Sequence, residues 1–390
     1  MLPRWYPNRT DPQLGVFIQK HARAIASMNR VRVFFAINDP NMSTPSIEAE
    51  LSEIDGVKEY RYYFADAKGP IRKWKNAVRY LQCWHRFKRD AGLYDSYRPH
   101  VIHAYIILRT VLLACWTSRM HKTPFVASEQ WSGYVSGEYV RLGWFRRALI
   151  RVSLRKAAGI SAVSFFLKSH LERHLKRNDI SVIYNVIEPE IPAPVKPHEQ
   201  SIRIALVADL VDDIKNISDV LRCMPELKAK HPGMRLDIIG GGRDESSLKN
   251  LSASLGLADS TVRFLGRKPN ADVYRLLVDS DFLVMNSRFE TFSLICAEAL
   301  RCGKPVVATR CGGPEEIIHE GNGILIAAGD RTELSKALEQ MCSTYGSYDP
   351  KVLQREAEYK FGARTAAYGF NEWYRSVLAV GSQTGTTGIK

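Results

Sequence analysis

Glu290-Thr291-Phe292-Ser293-Leu294-Ile295-Cys296-Ala297-Glu298-Ala299-Leu300-Arg301-Cys302-Gly303-Lys304-Pro305-Val306-Val307-Ala308-Thr309 decides how the chain is read. The apolar run 282–286 before it has the length and branching of a buried strand, and it ends in a polar turn. Ser293 is a residue type that starts helices, Gly303 one that ends them, and Pro305 stops any continuation. A second apolar run, 305–309, follows. Strand, turn, helix, strand with both strands continuously apolar is the signature of a parallel sheet covered on both faces. A helix that starts at the carboxyl edge of such a sheet points unpaired N–H groups and its positive dipole end at a ligand, which suits an anion. Glu290 lies on the turn, and Glu298 just over one turn into the helix, where its carboxylate can accept from a vicinal diol. Taken alone, two glutamates at this spacing also describe the wet face of an amphipathic helix.

The same alternation extends in both directions. Strands are expected at 202–208, 235–239, 262–265 and 324–326 on one side. They are also expected at 31–37, 101–105, 125–128, 160–164 and 182–184 on the other. Helical patterns at 15–28, 70–89, 107–120, 141–157 and 165–177 separate the earlier set. Only Met1-Leu2-Pro3 precedes the loop 4–14, so the first strand reads as a stub. Four prolines fall within 188–197, which marks an extended connection. The fold class expected is therefore α/β, two Rossmann-like doubly wound parallel-sheet domains. The expected segments are 1–188, a linker at 189–200, 201–365, a helix at 366–380 packing back on the first domain, and a disordered tail at 381–390.

Charge is distributed unevenly. The formal net charge is +14, all of it within residues 1–190, while residues 191–390 balance to zero. An anionic partner for the first half follows: a lipid surface, a phosphate-bearing acceptor or nucleic acid. The seven cysteines are scattered and form no C-x-x-C pair, so neither a disulfide framework nor a structural zinc site is expected. No acidic D-x-D cluster suggests a metal site, and Asp212-Asp213 reads as part of a solvent loop. The opening residues lack the apolar core of a leader peptide, and the apolar stretch 101–116 is too short and polar to span a bilayer. A cytoplasmic protein, with at most peripheral attachment to the inner membrane face, is the expectation.

The segment 290–309, continued by Gly312-Gly313-Pro314-Glu315-Glu316-Ile317-Ile318 and Gly321-Asn322-Gly323-Ile324-Leu325, resembles the signature of the retaining glycosyltransferases of family 4. That family has two Rossmann-like domains facing a cleft, the GT-B fold. By this resemblance Glu298 would hold the nucleotide ribose, and Glu290 would lie at the transferred sugar. The N–H groups of Phe292, Ser293 and Leu294 would meet the diphosphate or the sugar. Lys215, in Asp213-Ile214-Lys215-Asn216, looks like the family's phosphate-binding lysine, which would offset charge on the leaving diphosphate. Gly241, within Gly240-Gly241-Gly242, resembles the family's glycine turn, and Arg267 lies where its base pocket usually is. In the first half Gly15 looks like the glycine that opens a helix beside the donor phosphates. Ile102-His103-Ala104-Tyr105 and Glu129-Gln130-Trp131-Ser132-Gly133-Tyr134 resemble elements that place His103, Glu129 and Gln130 at the acceptor or sugar. Three positions depart from the pattern. Gln130 replaces a histidine and cannot take up a proton, Tyr105 replaces another histidine, and Asp209 stands where an arginine often assists the lysine.

The resemblance thus implies transfer of a sugar from a UDP- or GDP-sugar to a glycan or lipid-linked acceptor, in cell-surface polysaccharide or glycolipid synthesis. It implies no cofactor and no metal. A nucleotide-sugar epimerase on the same plan, or a degenerate glycan- or nucleotide-binding protein, are the competing readings. Ile71, Trp74, Val78, Leu81 and Trp84 recur at helical spacing among Arg72, Lys73, Lys75, Arg79, Arg86, Lys88 and Arg89. A second basic run extends from Arg141 to Arg177. These runs are expected to meet an anionic membrane surface. Nucleic acid is not expected, because no recognition motif accompanies the charge.

Overall fold

The structure is a computed structural model. It describes residues 1–44, 46–107, 109–187, 201–257 and 259–384. The expected linker 189–200 lies outside the described residues. Of the described residues, those within 1–163, 168–186 and 363–384 cluster into one unit, and those within 164–167 and 187–362 into a second.

The first unit contains β1 (Leu2–Pro3), β2 (Val31–Asp39), β3 (Ile47–Ile54), β4 (Val57–Ala65), β5 (Ile102–Tyr105), β6 (Phe125–Glu129), β7 (Gly159–Ala162) and β8 (Ile180–Val182). A parallel five-stranded sheet runs β1-β5-β6-β7-β8, and a three-stranded one runs β2-β4-β3. The Phe34 amide donates to the Met1 carbonyl at 3.0 Å, which joins the two sheets at their shared border. The stub β1 is thus a parallel strand of two residues. Two strands exceed the expectation: β3 and β4 form an antiparallel hairpin. Its turn, Asp55-Gly56, has φ of 51° and 76°, the conformation that Asp-Gly favours in two-residue hairpins. The strand β3 escaped notice because it is an edge strand with mostly exposed, charge-rich residues and no apolar run.

The core of this unit packs Ile18 and Ile25 from helix Val16–Ala26 against Val33, Phe35 and Tyr105 of the strands. Phe370, Trp373 and Val377 close it from helix Ala363–Thr384. That helix starts earlier than expected and runs on through 381–384. The first four residues of the expected disordered tail are therefore helical, and 385–390 lie outside the described residues.

All six strands expected in the second unit form: β9 (Arg203–Val207), β10 (Arg235–Ile239), β11 (Val262–Gly266), β12 (Phe282–Met285), β13 (Val306–Arg310) and β14 (Gly323–Ala327). Their order is β11-β10-β9-β12-β13-β14, every pairing parallel. The order reverses between β9 and β12. In open parallel sheets, loops leaving the carboxyl ends of the strands at such a reversal diverge and leave room for a ligand. Ile217, Leu221, Leu236, Phe282, Leu338 and Met341 fill the space between sheet and helices. Apart from Gly15 of the first unit, the residues that resemble the donor-site signature sit on the loops at this sheet's carboxyl edge or in the helices that begin there.

Candidate functional site

The site is built from the two loops that flank the reversal. After β9 the chain makes a short helix, Asp212–Lys215, followed by Asn216 in left-handed conformation at φ 48°. Asp212 is more than a solvent residue, because its carboxylate accepts the Ser218 amide at 2.8 Å and its own amide donates to Asp244 at 2.8 Å. After β12 comes the loop to Glu290. Three hydrogen bonds tie the loops together. The Arg288 amide donates to the Ile214 carbonyl (2.8 Å), the Asn286 side-chain amide to the Asn216 carbonyl (2.9 Å), and Arg288 to Asn216 Oδ1 (3.2 Å).

This places Lys215 Nζ 2.5 Å from Glu290 Oε1. The Ser287 hydroxyl donates to the same oxygen at 2.9 Å. Burial opposes the charge on Lys215, but Glu290 beside it, and Asp209 more weakly, hold its pKa above the ordinary lysine value. The lysine is therefore an ammonium ion, not a free base. The backbone of Glu290 is clamped as well: its amide donates to the Cys311 carbonyl at 3.1 Å and its carbonyl accepts the Gly313 amide at 2.9 Å. A Cβ on Gly313 would stand 2.3 Å from the Phe292 backbone, so only glycine permits this approach.

Helix Leu294–Arg301 starts where expected, with Ser293 at its N-cap and Gly303 past its end at φ 74°. The Ser293 side chain, however, does not cap the helix. Ser293 sits at φ 71°, ψ 72°, and its hydroxyl donates to Cys296 Sγ at 3.1 Å. Left-handed backbone at a serine costs on the order of 1 kcal/mol or more and is held here by the clamped loop. The first amides of a helix have no acceptor within it. Here the residue type that commonly supplies one has turned its hydroxyl elsewhere. Phe292 is buried and packs edge-on against Phe361, which fixes the turn from behind. Leu294 opens the helix, half-buried.

Glu298 is nearly buried, and the Tyr274 hydroxyl donates to its Oε1 at 2.6 Å. Gly241 follows β10, where an added Cβ would meet the Arg267 side chain at 3.2 Å. Arg267 lies 3.3 Å from Asp209, both largely exposed. The acid that replaces the family's arginine thus stands beside a cation of this chain.

In the first unit Gly15 has φ 69° and begins helix Val16–Ala26. A Cβ there would lie 2.5 Å from the Trp5 carbonyl. Two expectations are corrected. His103 is enclosed: its Nδ1 shares a 2.6 Å hydrogen bond with the Tyr374 hydroxyl and its Nε2 a 2.7 Å one with the Ser128 hydroxyl. Glu129 is 0% exposed and accepts the amides of Ile107 (2.9 Å), Gln130 (2.8 Å) and Trp131 (2.8 Å). Burial raises its pKa to about 7 against the pull of those three donors. Neither side chain can touch a substrate as placed. Glu129 positions the loops that leave β5 and β6, while His103 ties β5 to β6 and to helix Ala363–Thr384. Gln130, half-buried at the end of β6, keeps a partly open side chain.

Sequence reasoning did not find Tyr274, Ser287, Asn216 or Arg288. Tyr274 reaches Glu298 from helix Asn270–Val278, and no local pattern signals such a contact. Among the described residues no group of three or more His, Cys, Asp or Glu is placed to hold a metal ion, and all seven cysteines are unpaired. No helix of the described residues is long and apolar enough to cross a membrane.

Comparison with known proteins supplies the family. The family 4 glycosyltransferase description matches residues 14–191, and "Glycosyl transferases group 1" matches residues 188–357. N-acetyl-alpha-D-glucosaminyl L-malate synthase of Bacillus anthracis is 29% identical over 203 residues, covering 50% of this chain and 52% of that protein. The GDP-mannose-dependent monoacylated alpha-(1-6)-phosphatidylinositol monomannoside mannosyltransferase of Corynebacterium glutamicum is 30% identical over 171 residues, covering 42% of this chain and 42% of that protein. The matches thus span about half the length of these curated relatives, or less. Among solved structures, Anabaena HepE in complex with UDP and glucose superposes with a TM-score of 0.71 at 17% identity, covering 96% of this chain and 98% of that one, a likeness of fold. With one description on each unit, and the residues of the second unit's signature gathered at its sheet reversal, the chain belongs to the family 4 (group 1) glycosyltransferases of the GT-B fold.

Proposed function

We propose that the chain transfers a sugar, with retention of anomeric configuration, from a UDP- or GDP-sugar to a glycan or lipid-linked acceptor in cell-surface polysaccharide or glycolipid synthesis. One observation carries this reading: the Lys215–Glu290 ion pair at the sheet reversal, beside the uncapped start of helix Leu294–Arg301. A diphosphate arriving there would meet helix amides and an ammonium ion. Both act where negative charge grows as the sugar leaves, and neither needs a metal. Lys215 would exchange Glu290 for phosphate, which frees the Glu290 carboxylate to accept from a sugar hydroxyl. Glu298, with one oxygen held by Tyr274, would accept from the ribose with the other. Gln130 has no basic nitrogen, so the acceptor's proton would pass to the leaving phosphate on the same face.

The relatives' names support N-acetylglucosaminyl and mannosyl donors, with a phosphatidylinositol-type acceptor, as first choices. They support GDP as one carrier of the sugar, and the HepE complex supports UDP as the other. The test incubates the chain with UDP- and GDP-sugars, with and without lipid and glycan acceptors. It follows nucleotide release by chromatography and the product's anomeric configuration by NMR. Transfer that needs an acceptor, with retention, is expected. An inverted product would overturn retention. Free epimerised nucleotide sugar without acceptor would overturn transfer itself.

A further inference from the structure

Helix Trp144–Leu154 carries apolar residues on the side that faces water. Its sequence is Trp-Phe-Arg-Arg-Ala-Leu-Ile-Arg-Val-Ser-Leu. Ile150, Ser153 and Leu154 face inward and are buried. Trp144 is nevertheless 76% exposed and Phe145 64%, and Leu149 and Val152 are exposed as well. Phe145, Leu149 and Val152 follow the four- and three-residue steps of a single helix stripe. A helix that packs one stripe on its domain normally shows water a polar one, so this second stripe lacks a partner. The helix packs on helix Arg109–His121, which exposes Trp116 and Met120 and extends the apolar surface.

The charges around the stripe select what covers it. The helix has no acidic residue, and Arg146 on it and Arg155 and Lys156 just past its end are exposed. None of these three makes an ion pair among the described residues. A second copy of the chain, meeting this face across a two-fold axis, would set the arginines against themselves. Nucleic acid would engage the cations but leave Trp144, Phe145 and Leu149 wet. An anionic bilayer takes both parts, hydrocarbon for the stripe and phosphates for the arginines.

We infer that helix Trp144–Leu154 docks the protein on an anionic phospholipid bilayer, with its outer apolar stripe at the acyl boundary and its flanking cations on lipid phosphates. The sequence had pointed to both basic runs, this one and the helix around Trp74, which exposes Trp74 and Leu81. There, on helix Arg72–Asp90, several cations are engaged within the protein: Arg72 with Asp66, Arg79 with the Ala65 carbonyl, and Arg86 with the Ile47 carbonyl. Tyr80, Trp84 and Phe87 of the same helix are buried.

The full chain is to be sedimented with vesicles of phosphatidylcholine alone and of phosphatidylcholine mixed with phosphatidylglycerol. Binding to the mixed vesicles only is expected. The variant Trp144→Ser/Phe145→Ser/Leu149→Ser is expected to partition at least about tenfold more weakly. Its thermal midpoint should stay unchanged, because the three residues are exposed. Trp74→Ser is expected to bind like the parent, and brominated lipid should quench tryptophan emission in the parent but less in Trp144→Phe. Equal binding to both vesicles, or wild-type binding by the triple variant, overturns the inference. So does a parent that sizes as a dimer while the triple variant sizes as a monomer, since the stripe would then be a self-contact. The readout is independent of sugar transfer, so a failure here leaves the proposed transferase activity standing.

Discussion

Lys215 and Glu290 answer to each other before any substrate arrives, and that pairing sets what their substitution should do. Lys215→Ala removes the only cation within hydrogen-bonding reach of Glu290 among the contacts described, and is expected to lower transfer by about 10²–10³-fold, the usual cost of losing one preorganised electrostatic group. Initial-rate assays with saturating acceptor measure it; a Lys215→Ala enzyme with full activity would refute the lysine's role. Tyr274→Phe removes a hydroxyl that donates to a nearly buried carboxylate, so it should cost about 1–3 kcal/mol of stability in urea unfolding and weaken nucleotide binding. An unchanged unfolding midpoint would count against that contact. The two glutamates were legible because one short stretch contains the strand end, the turn and the helix start. Lys215 was placed by resemblance, since nothing local brings residue 215 to residue 290. Tyr274 and Ser287 were invisible for the same reason: their meaning lies in the partners they reach. His103 and Glu129 were misjudged because a polar residue on a strand can point at a ligand or be enclosed by its neighbours, as Glu129 is by three amides and His103 by two hydroxyls. Only the packing around β5 and β6 distinguishes the two.

Helices and strands show the balance between local rule and context. The second unit's six strands were readable because each is a short, continuously apolar run between helical stretches. Strand β3 was not, although Asp55-Gly56 carried its turn, because an exposed edge strand has no apolar run to announce it; β4, central and buried, interrupts its apolar run with Lys58, Glu59 and Arg61. Helix Ala363–Thr384 is the element most open to test by pH. His21, from helix Val16–Ala26, packs its ring against Tyr105 and Phe370, and burial lowers its pKa from 6.5 to about 3. Burial lowers His103 likewise, well below 6.5. A group that resists protonation in the fold but accepts it when unfolded stabilises the fold fully above about pH 6.5, and that stabilisation drains away as the pH falls toward its folded value. Glu129, raised from 4.5 to about 7, acts in the opposite direction, losing its contribution as pH rises through that window. These two histidines, joined by His121, His174 and the Met1 amine, whose pKa values are lowered by burial as well, outweigh the one glutamate and leave a net loss on acidification, about 1.4 kcal/mol per pH unit for each unbalanced proton. The thermal midpoint should therefore be lower at about pH 5 than at about pH 7, and His21→Phe should flatten the difference. A pH dependence unaltered in His21→Phe would exclude this account. Gly15→Ala should also destabilise the first unit, because φ 69° and the Trp5 carbonyl both reject a Cβ.

At the level of the whole molecule, nucleotide binding should appear as stabilisation. A UDP-sugar at about a hundred times its Kd should add ~2.7 kcal/mol to the unit that binds it, raising that unit's calorimetric midpoint by ~5–11 °C. EDTA is expected to leave the shift intact; a shift abolished by EDTA and restored by magnesium would overturn a grip made of helix amides and lysine. The two units also differ in how the chain assembles them. The second ends at Gly362, whereas the first includes residues from 363 onward. Phe370, Trp373 and Val377 form the last wall of a cluster that begins with Tyr6 and Ile18. A nascent chain therefore finishes its units in reverse of the order in which it begins them. At about 5–20 residues per second, the half made first waits roughly ten to forty seconds outside the ribosome with one apolar wall missing, while the second unit is translated in full. During that interval the Ile18–Val33 face is the part of the newborn protein most in need of a chaperone.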